Sequence, residues 1–240
     1  MGIFTALPVV MVALCSSAVE PVQKLTNSPV PPAPPVRAEV QKGPAVGEKA
    51  TATPKITNRV ENLAKNWNAM TTHGKWVVIG DTEVQQTVDE IQVMYAGNTG
   101  FGRAIDQSGV MEYAWSINPA SLKHGCGFFV MATDGDKEER GNGYLLWLTK
   151  TPTASFAIMK MTGNQPPVEQ VKFPVVAFEG AFNELKARYD TGKGDWTLTC
   201  NGKVAGKWKD PQPNRKGGFV SFTTCFTKAV IKNVSITKVE

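Results

Sequence analysis

Hydrophobic and polar positions alternate with a period of two over most of the chain from Lys75 onward. Between Met111 and Ile117 the apolar side chains occupy every second position, which is typical of a strand with one buried face. Residues 128–131 and 145–148 are apolar throughout, as in strands that are covered on both faces. Clusters of Gly, Asn, Asp and Pro separate these segments. The pattern predicts an all-β domain, residues 74–240, built as a two-sheet antiparallel sandwich.

Two local signals predict details of the strand connections. Asn201-Gly202 stands between alternating segments, and both central positions of the favoured two-residue hairpin turn need positive φ. In the last segment of the chain the alternation slips, which predicts a β-bulge near Lys232-Asn233.

A different period precedes the sandwich, in residues 56–73. Its apolar residues recur every three or four positions, at Ile56, Val60, Leu63, Trp67 and Met70. With Asn58 three residues before Glu61, the spacing predicts a short amphipathic helix that packs against the sandwich. The alternative is that Trp67 already belongs to the first strand, because Asn66 and Asn68 are poor helix formers.

The N-terminal region has the composition of an exported protein. Residues 1–18 are uncharged, largely apolar and end in small residues, which predicts a signal peptide cleaved after Ala18. Residues 19–55 are rich in proline and predict an extended, disordered linker. We therefore expect a secreted, periplasmic or envelope-associated protein. Lipid anchoring through Cys15 is the alternative, although Leu14 stands where a lipobox has a small residue.

Charge and cysteine content exclude several classes. The chain has 26 basic and 21 acidic residues, and its charges are nearly balanced after Gly74, so nucleic acid is not an expected partner. No segment after the signal is long and apolar enough to span a membrane. Cys126, Cys200 and Cys225 form no C-x-x-C pair. One disulfide, Cys200 to Cys225, and three buried thiols are both compatible with their spacing.

The end of the chain carries a resemblance to a known superfamily. The segments NELKARYDTGKGDWTLTCNGKVAG, from Asn183, and GGFVSFTTCFTKAVIKNVSITKVE, from Gly217, resemble the concanavalin A-like lectin/glucanase jelly roll. Within it they look most like laminin G-like and 3-keto-disaccharide hydrolase-type domains. The likeness implies a jelly-roll sandwich over about 165 residues and specifies the fold better than an activity.

The sequence provides no glucanase catalytic strand. Retaining glucanases need two carboxylates about 5 Å apart on one face, in a pattern E-x-D-x-x-E that is absent here. No catalytic residue is assigned. The loop at residues 134–143 contains Asp134, Asp136 and Glu138, whose oxygens could bind Ca²⁺. A solvated hairpin loop without metal is the simpler interpretation of this charge run.

A lectin would need aromatic rings for stacking and polar groups for sugar hydroxyls. Tyr144 and Trp208 are expected to be exposed, at the edge of the 134–143 loop and before a turn. The candidate ligand-binding residues are Tyr144, Trp208, Trp147, Arg103, Arg140 and Asn142.

Three functional hypotheses follow from these features. The first is an exported, lectin-like module that binds a polysaccharide or glycan without cleaving it. The second is a glycoside hydrolase of the 3-keto-disaccharide hydrolase type. The third is a structural envelope protein that uses the sandwich for protein contacts.

Overall fold

The computed structural model describes residues 60–69, 75–88, 100–133, 141–163 and 165–239. The predicted signal peptide, the proline-rich linker and Cys15 lie outside these residues. So do Asp134, Asp136, Glu138 and Arg140.

Within these described residues, antiparallel pairing of short strands produces two sheets of seven strands each. The first sheet contains, in spatial order, β1 (Asn68–Ala69), β4 (Phe101–Gln107), β13 (Gly217–Thr224), β6 (Cys126–Ala132), β7 (Gly143–Lys150), β8 (Ala154–Met161) and β9 (Val168–Pro174). The second contains β12 (Lys203–Lys209), β11 (Asp195–Cys200), β10 (Asn183–Asp190), β5 (Val110–Pro119), β14 (Ala229–Val239), β3 (Glu83–Gln86) and β2 (Trp76–Ile79). The predicted two-sheet antiparallel sandwich is confirmed.

The core between the sheets consists largely of aromatic side chains. Phe128 of β6 and Phe222 of β13 stack with ring centroids 4.2 Å apart, and Trp115 of β5 meets Phe128 edge-on at 5.1 Å. The alternate residues of β5 predicted to face inward are buried in this core. Both faces of β6 and β7 are buried, as their continuous apolar runs predicted. The positions of the apolar residues along these strands thus determine which side chains form the core.

Both predicted turn features are present. Asn201 and Gly202 have φ of 49° and 76° and join β11 to β12. The register between β14 and β5 shifts after Lys232, and Asn233 has φ of 54° there, which is the predicted bulge.

In the segment before the sandwich the structure describes residues 60–69, which contain one helical turn; Ile56, Asn58 and Met70 lie outside the described residues. Helix α1 (Leu63–Asn66) has four residues and is capped by Asn62, whose side chain accepts a hydrogen bond from Lys65 N. β1 follows at once, which supports the alternative that Trp67 begins the strand region. Trp67 is buried among rings of the first sheet, 5.4 Å from Phe222. Leu63 and Trp67 are therefore apolar because they insert into the core, whereas Val60 is exposed.

The strands alternate in direction, so each end of the sandwich has its own set of turns. The turns that follow β6, β8, β10 and β12 lie at one end, named here the β6–β7 end. The turns that follow β5, β7, β9, β11 and β13 lie at the other, the β5–β6 end. These ends differ in chemistry.

Cys126, Cys200 and Cys225 are buried thiols, and no disulfide joins Cys200 to Cys225. Burial raises the pKa of the Cys126 thiol to about 12 and that of Cys200 to about 11. The prediction of buried cysteines on strands holds for Cys126 on β6 and Cys200 on β11.

Candidate ligand-binding site

A hydrogen-bonded network centred on Tyr144 occupies the β6–β7 end. The Tyr144 hydroxyl donates to Asp210 Oδ2 at 2.6 Å and accepts from Asn214 N at 2.9 Å. It lies 3.1 Å from the hydroxyl of Tyr189, which donates to Asn214 O at 2.8 Å. The network joins β7 of the first sheet to β10 of the second and fixes the turn between β12 and β13.

The buried carboxylate of Asp210 is compensated by donors on both oxygens. Lys160 Nζ on β8 donates to Oδ2 at 2.9 Å, and Gln212 N donates to Oδ1 at 2.8 Å. Lys160 Nζ also donates to Gln212 O. Burial acts to raise the pKa of Asp210, but the bonds from Lys160, Tyr144 and Gln212 N outweigh it and hold that pKa below its ordinary value. Asp210 is therefore a fixed anion at neutral pH.

The two tyrosines of the network stay protonated over a wide pH range. Burial raises the pKa of Tyr144 well above its ordinary value, and the hydrogen bond to Asp210 adds to the effect. Burial raises the pKa of Tyr189 to about 12. Tyr189 also stacks on Trp196, with centroids 4.0 Å apart. Both rings are therefore held as neutral hydrogen-bonding groups.

A pocket of about 300 Å³ opens beside this network, between the β8–β9 turn and the turn after β12. Its polar lining consists of Lys160, Thr162, Gln165, Gln170, Asp210 and Gln212, and its apolar lining of Pro166, Val168 and Pro211. Amide groups can both donate and accept hydrogen bonds, as sugar hydroxyls can. The volume is at the lower end of the range for small-molecule sites. The pocket suits a small, neutral, polyhydroxylated group.

The same geometry disfavours acid–base chemistry in this pocket. Asp210 is the one carboxylate among the described residues that line it. Its low pKa leaves it without a proton to donate, and its oxygens already accept three hydrogen bonds. Glycoside hydrolysis ordinarily uses a pair of carboxylates with different pKa values. The described lining of the pocket therefore provides one carboxylate, which is not available as a proton donor.

The three aromatic candidates do not form an exposed stacking surface. Tyr144 is fully buried, so the prediction that it is exposed is wrong: its hydroxyl is needed inside the network. Trp147 is 6% exposed, and its indole lies against Gly125 and Gly127. Trp208 is half-buried and packs against the core from the edge strand β12, so its exposure is partial.

The polar candidates lie in separate places. Arg103 donates to Glu61 Oε2 at 2.7 Å and lines a different pocket of about 650 Å³ beside Asn66 and Asn68. Asn142 is exposed at the β6–β7 end, where its Oδ1 accepts from Gly163 N at 2.9 Å. The structure therefore does not bring the five described residues of the predicted ligand-binding set together, and Arg140 lies outside the described residues. Whether they bind a ligand stays a prediction.

The residues of the 300 Å³ pocket were not singled out by the sequence. Lys160 and Asp210 are 50 positions apart: Lys160 lies on β8 of the first sheet, and Asp210 directly follows β12 of the second. Asp210-Pro211-Gln212-Pro213 has the composition of a turn, and it is the turn that the sequence predicts after Trp208. Only the register of β8 against β7 brings Lys160 to this turn, through Tyr144. Glutamines in polar turns carry no pattern that distinguishes a binding site from a solvated loop.

Metal and membrane predictions are tested only for part of the chain. Within the described ranges, no group of three or more His, Cys, Asp or Glu could hold a metal ion. The carboxylates proposed for Ca²⁺ lie outside those ranges. Among the described helices, none is long and apolar enough to cross a membrane.

Comparisons with known proteins identify the fold. No protein-family profile and no curated protein matches the chain. Among solved structures, the carbohydrate-binding module CBM66 from Bacillus subtilis matches with a TM-score of 0.53 and 14% identity, over 71% of this chain and 94% of the module. A protein of unknown function with a galectin-like fold from Bacillus subtilis matches with a TM-score of 0.54 and 15% identity, over 72% of this chain and 90% of that protein. The fold is a concanavalin A-like jelly roll. The predicted jelly-roll fold is confirmed, and the jelly roll alone assigns no activity.

Proposed function

We propose that this jelly roll is a lectin-like carbohydrate-binding module and that the 300 Å³ pocket at the β6–β7 end holds the sugar. The observation that carries the proposal is the group of three glutamines, Gln165, Gln170 and Gln212, beside a carboxylate and an ammonium that neutralise each other. The similarity of the fold to a carbohydrate-binding module and to a galectin-like protein supports it.

A neutral sugar is the class of ligand that these groups favour. Lys160 Nζ lies 2.9 Å from Asp210 Oδ2, so the two charges neutralise each other. The pair therefore adds no net charge to the pocket. The three amides supply both donors and acceptors for hydroxyls. Pro166 and Pro211 provide small apolar surfaces that can cover the C–H face of one sugar ring.

Removing the amides tests the proposal. We expect the full chain to bind at least one neutral oligosaccharide on a glycan array. The triple variant Gln165→Ala/Gln170→Ala/Gln212→Ala should raise the Kd by about tenfold or more, because each lost hydrogen bond is worth about 1 kcal/mol. Gln85→Ala is the matched control, since Gln85 lies on β3 and lines no part of this pocket. Equal binding by the triple variant and the control would reject the site.

The hydrolase hypothesis predicts a different result. A 3-keto-disaccharide hydrolase would release monosaccharide from a 3-keto-glycoside, and the activity would depend on a carboxylate. We expect no turnover at this pocket, because Asp210 is an anion held by three donors. Turnover that disappears in Asp210→Asn, with folding retained, would favour the hydrolase.

Export is part of the proposed function. The mature module would begin at Val19 and be displayed on the proline-rich segment, outside the cytoplasm. Intact-mass measurement of the protein recovered from a bacterial expression host should give a chain starting at Val19. A chain that starts at a lipid-modified Cys15 would instead establish a membrane-anchored lipoprotein, and a chain that keeps Met1 would contradict export.

A further inference from the structure

The β5–β6 end, opposite the proposed sugar pocket, concentrates lysines and exposed apolar side chains. Its turns are held together by backbone hydrogen bonds. These are Ala120 N to Lys228 O (2.9 Å), Lys150 N to Leu122 O (2.8 Å), Gly180 N to Pro119 O (2.8 Å) and Val175 N to Ala154 O (3.0 Å). Side chains from turns that are distant in the sequence therefore share one surface.

Positive charge dominates this surface. Five exposed lysines lie on its turns or at their margins: Lys75, Lys123, Lys150, Lys203 and Lys228. Among the described residues, none of the five takes part in an ion pair. The described carboxylates at this end are Glu179 and Glu184, and Glu179 already accepts a hydrogen bond from Leu122 N at 2.8 Å. Counting only the described residues, the positive charge of the lysines exceeds the negative charge at this end.

Phenylalanine side chains project among the lysines. Phe178 is 50% exposed, and Phe182 and Phe226 are each 37% exposed. Val176 and Val204 extend the apolar surface and line a groove of about 510 Å³ between the turn after β9 and the β11–β12 hairpin. Large exposed apolar patches on a soluble domain indicate an interaction surface.

The backbone conformation at Phe226 is a further indication that this end is an interaction surface. Its φ is 49°, in the left-handed region, which costs a non-glycine residue about 1 kcal/mol or more. The ring stands beside His124, with centroids 4.7 Å apart, and remains exposed. Neither core packing nor the turn itself requires a phenylalanine at this position.

We propose that the β5–β6 end binds peripherally to a lipid bilayer that contains anionic headgroups. Lysine side chains are attracted to anionic lipids, and aromatic side chains are stabilised at the boundary between headgroups and acyl chains. A polyanion such as a sulfated polymer would use the lysines but would leave the half-exposed ring of Phe178 without an apolar contact. The combination of both residue types therefore favours a membrane surface. Binding here would leave the sugar pocket, at the other end, facing away from the bilayer.

Co-sedimentation of the full chain with vesicles tests the inference. We expect binding to vesicles of phosphatidylcholine with about one quarter phosphatidylserine, weaker binding in high salt, and little binding to phosphatidylcholine alone. Lys123→Glu/Lys203→Glu/Lys228→Glu should reduce the partition coefficient by about tenfold or more. The control Lys207→Glu/Lys216→Glu/Lys238→Glu makes the same charge change at exposed positions elsewhere and should have little effect.

An apolar substitution separates a membrane from a polyanion. Phe178→Ala should reduce vesicle binding several-fold, whereas Ile79→Ala, at a similarly exposed position on β2, should not. Binding to dextran sulfate without binding to vesicles would overturn the proposal in favour of a polyanion. The proposal would also be overturned if both lysine variants bound vesicles equally well. The same holds if binding depended neither on the salt concentration nor on the charge of the headgroups. The sugar proposal is unaffected by these outcomes, because its variants lie at the other end.

Discussion

At the scale of single residues, the hydroxyl of Tyr144 is the group on which the β6–β7 end depends most. It contacts Asp210, Tyr189 and Asn214 at 3.1 Å or less, and it is fully buried. In Tyr144→Phe, Asp210 would lose a hydrogen-bond donor and Asn214 N would lose its acceptor in a largely buried setting. We expect the free energy of unfolding in urea to fall by about 1–3 kcal/mol. A change below about 0.5 kcal/mol would show that the network is rearranged or hydrated.

The protonation state of the same residues predicts a pH dependence. Folding raises the pKa of Tyr144 and Tyr189, so their contribution to stability is complete below the unfolded pKa near 10. It is lost as the pH rises towards and through the folded values, because the unfolded chain releases these protons first. Unfolding free energy should therefore decline above about pH 10, and less steeply in Tyr144→Phe. Parallel slopes for both proteins would contradict the assigned pKa direction.

Asp210 gives the opposite dependence at low pH. Its folded pKa is lowered, so its contribution is present above the unfolded carboxyl pKa and is lost as the pH falls through the folded value. The stability difference between the natural chain and Asp210→Asn should shrink below about pH 4. A difference that stays constant between neutral pH and about pH 3 would show that the charge of Asp210 adds no stability.

At the scale of the elements, the β11–β12 hairpin tests how strongly local sequence specifies the fold. Gly202 has φ of 76° and open space around its Cα, so Gly202→Ala changes backbone strain and little else. We expect a loss of about 1 kcal/mol in thermal or urea unfolding. Gly218→Ala is the control, because a Cβ there also meets open space and the backbone is not left-handed. Equal effects of the two substitutions would contradict the role assigned to the turn.

Features encoded by neighbouring residues could be predicted from the sequence, and those set by register could not. The inward-facing apolar positions of β5, the Asn201-Gly202 turn and the bulge at Asn233 are local, and all three are present. The sequence predicts that Trp67 lies in a helix or at the start of a strand. Its position beside Phe222 depends on how residues 60–69 enter the sandwich. Tyr144 and Asp210 are 66 positions apart, so no local pattern could show that Tyr144 is buried against a carboxylate.

At the scale of the whole molecule, the jelly roll separates two chemically different ends. The β6–β7 end presents amides around a neutralised pair, and the β5–β6 end presents lysines and phenylalanines. Strand direction alternates through both sheets, so the intervening strands hold these two surfaces apart. A module of this kind would bind a glycan at one end while the other rests on a membrane.

The most direct test of the central claim is an NMR titration of the folded protein with a neutral oligosaccharide selected on the glycan array. Saturable shifts should be confined to the side-chain amides of Gln165, Gln170 and Gln212 and to the backbone of the neighbouring turns. Saturable shifts centred on Arg103 and Asn68 instead, or the absence of saturable shifts in the pocket, would contradict the assignment of the sugar site.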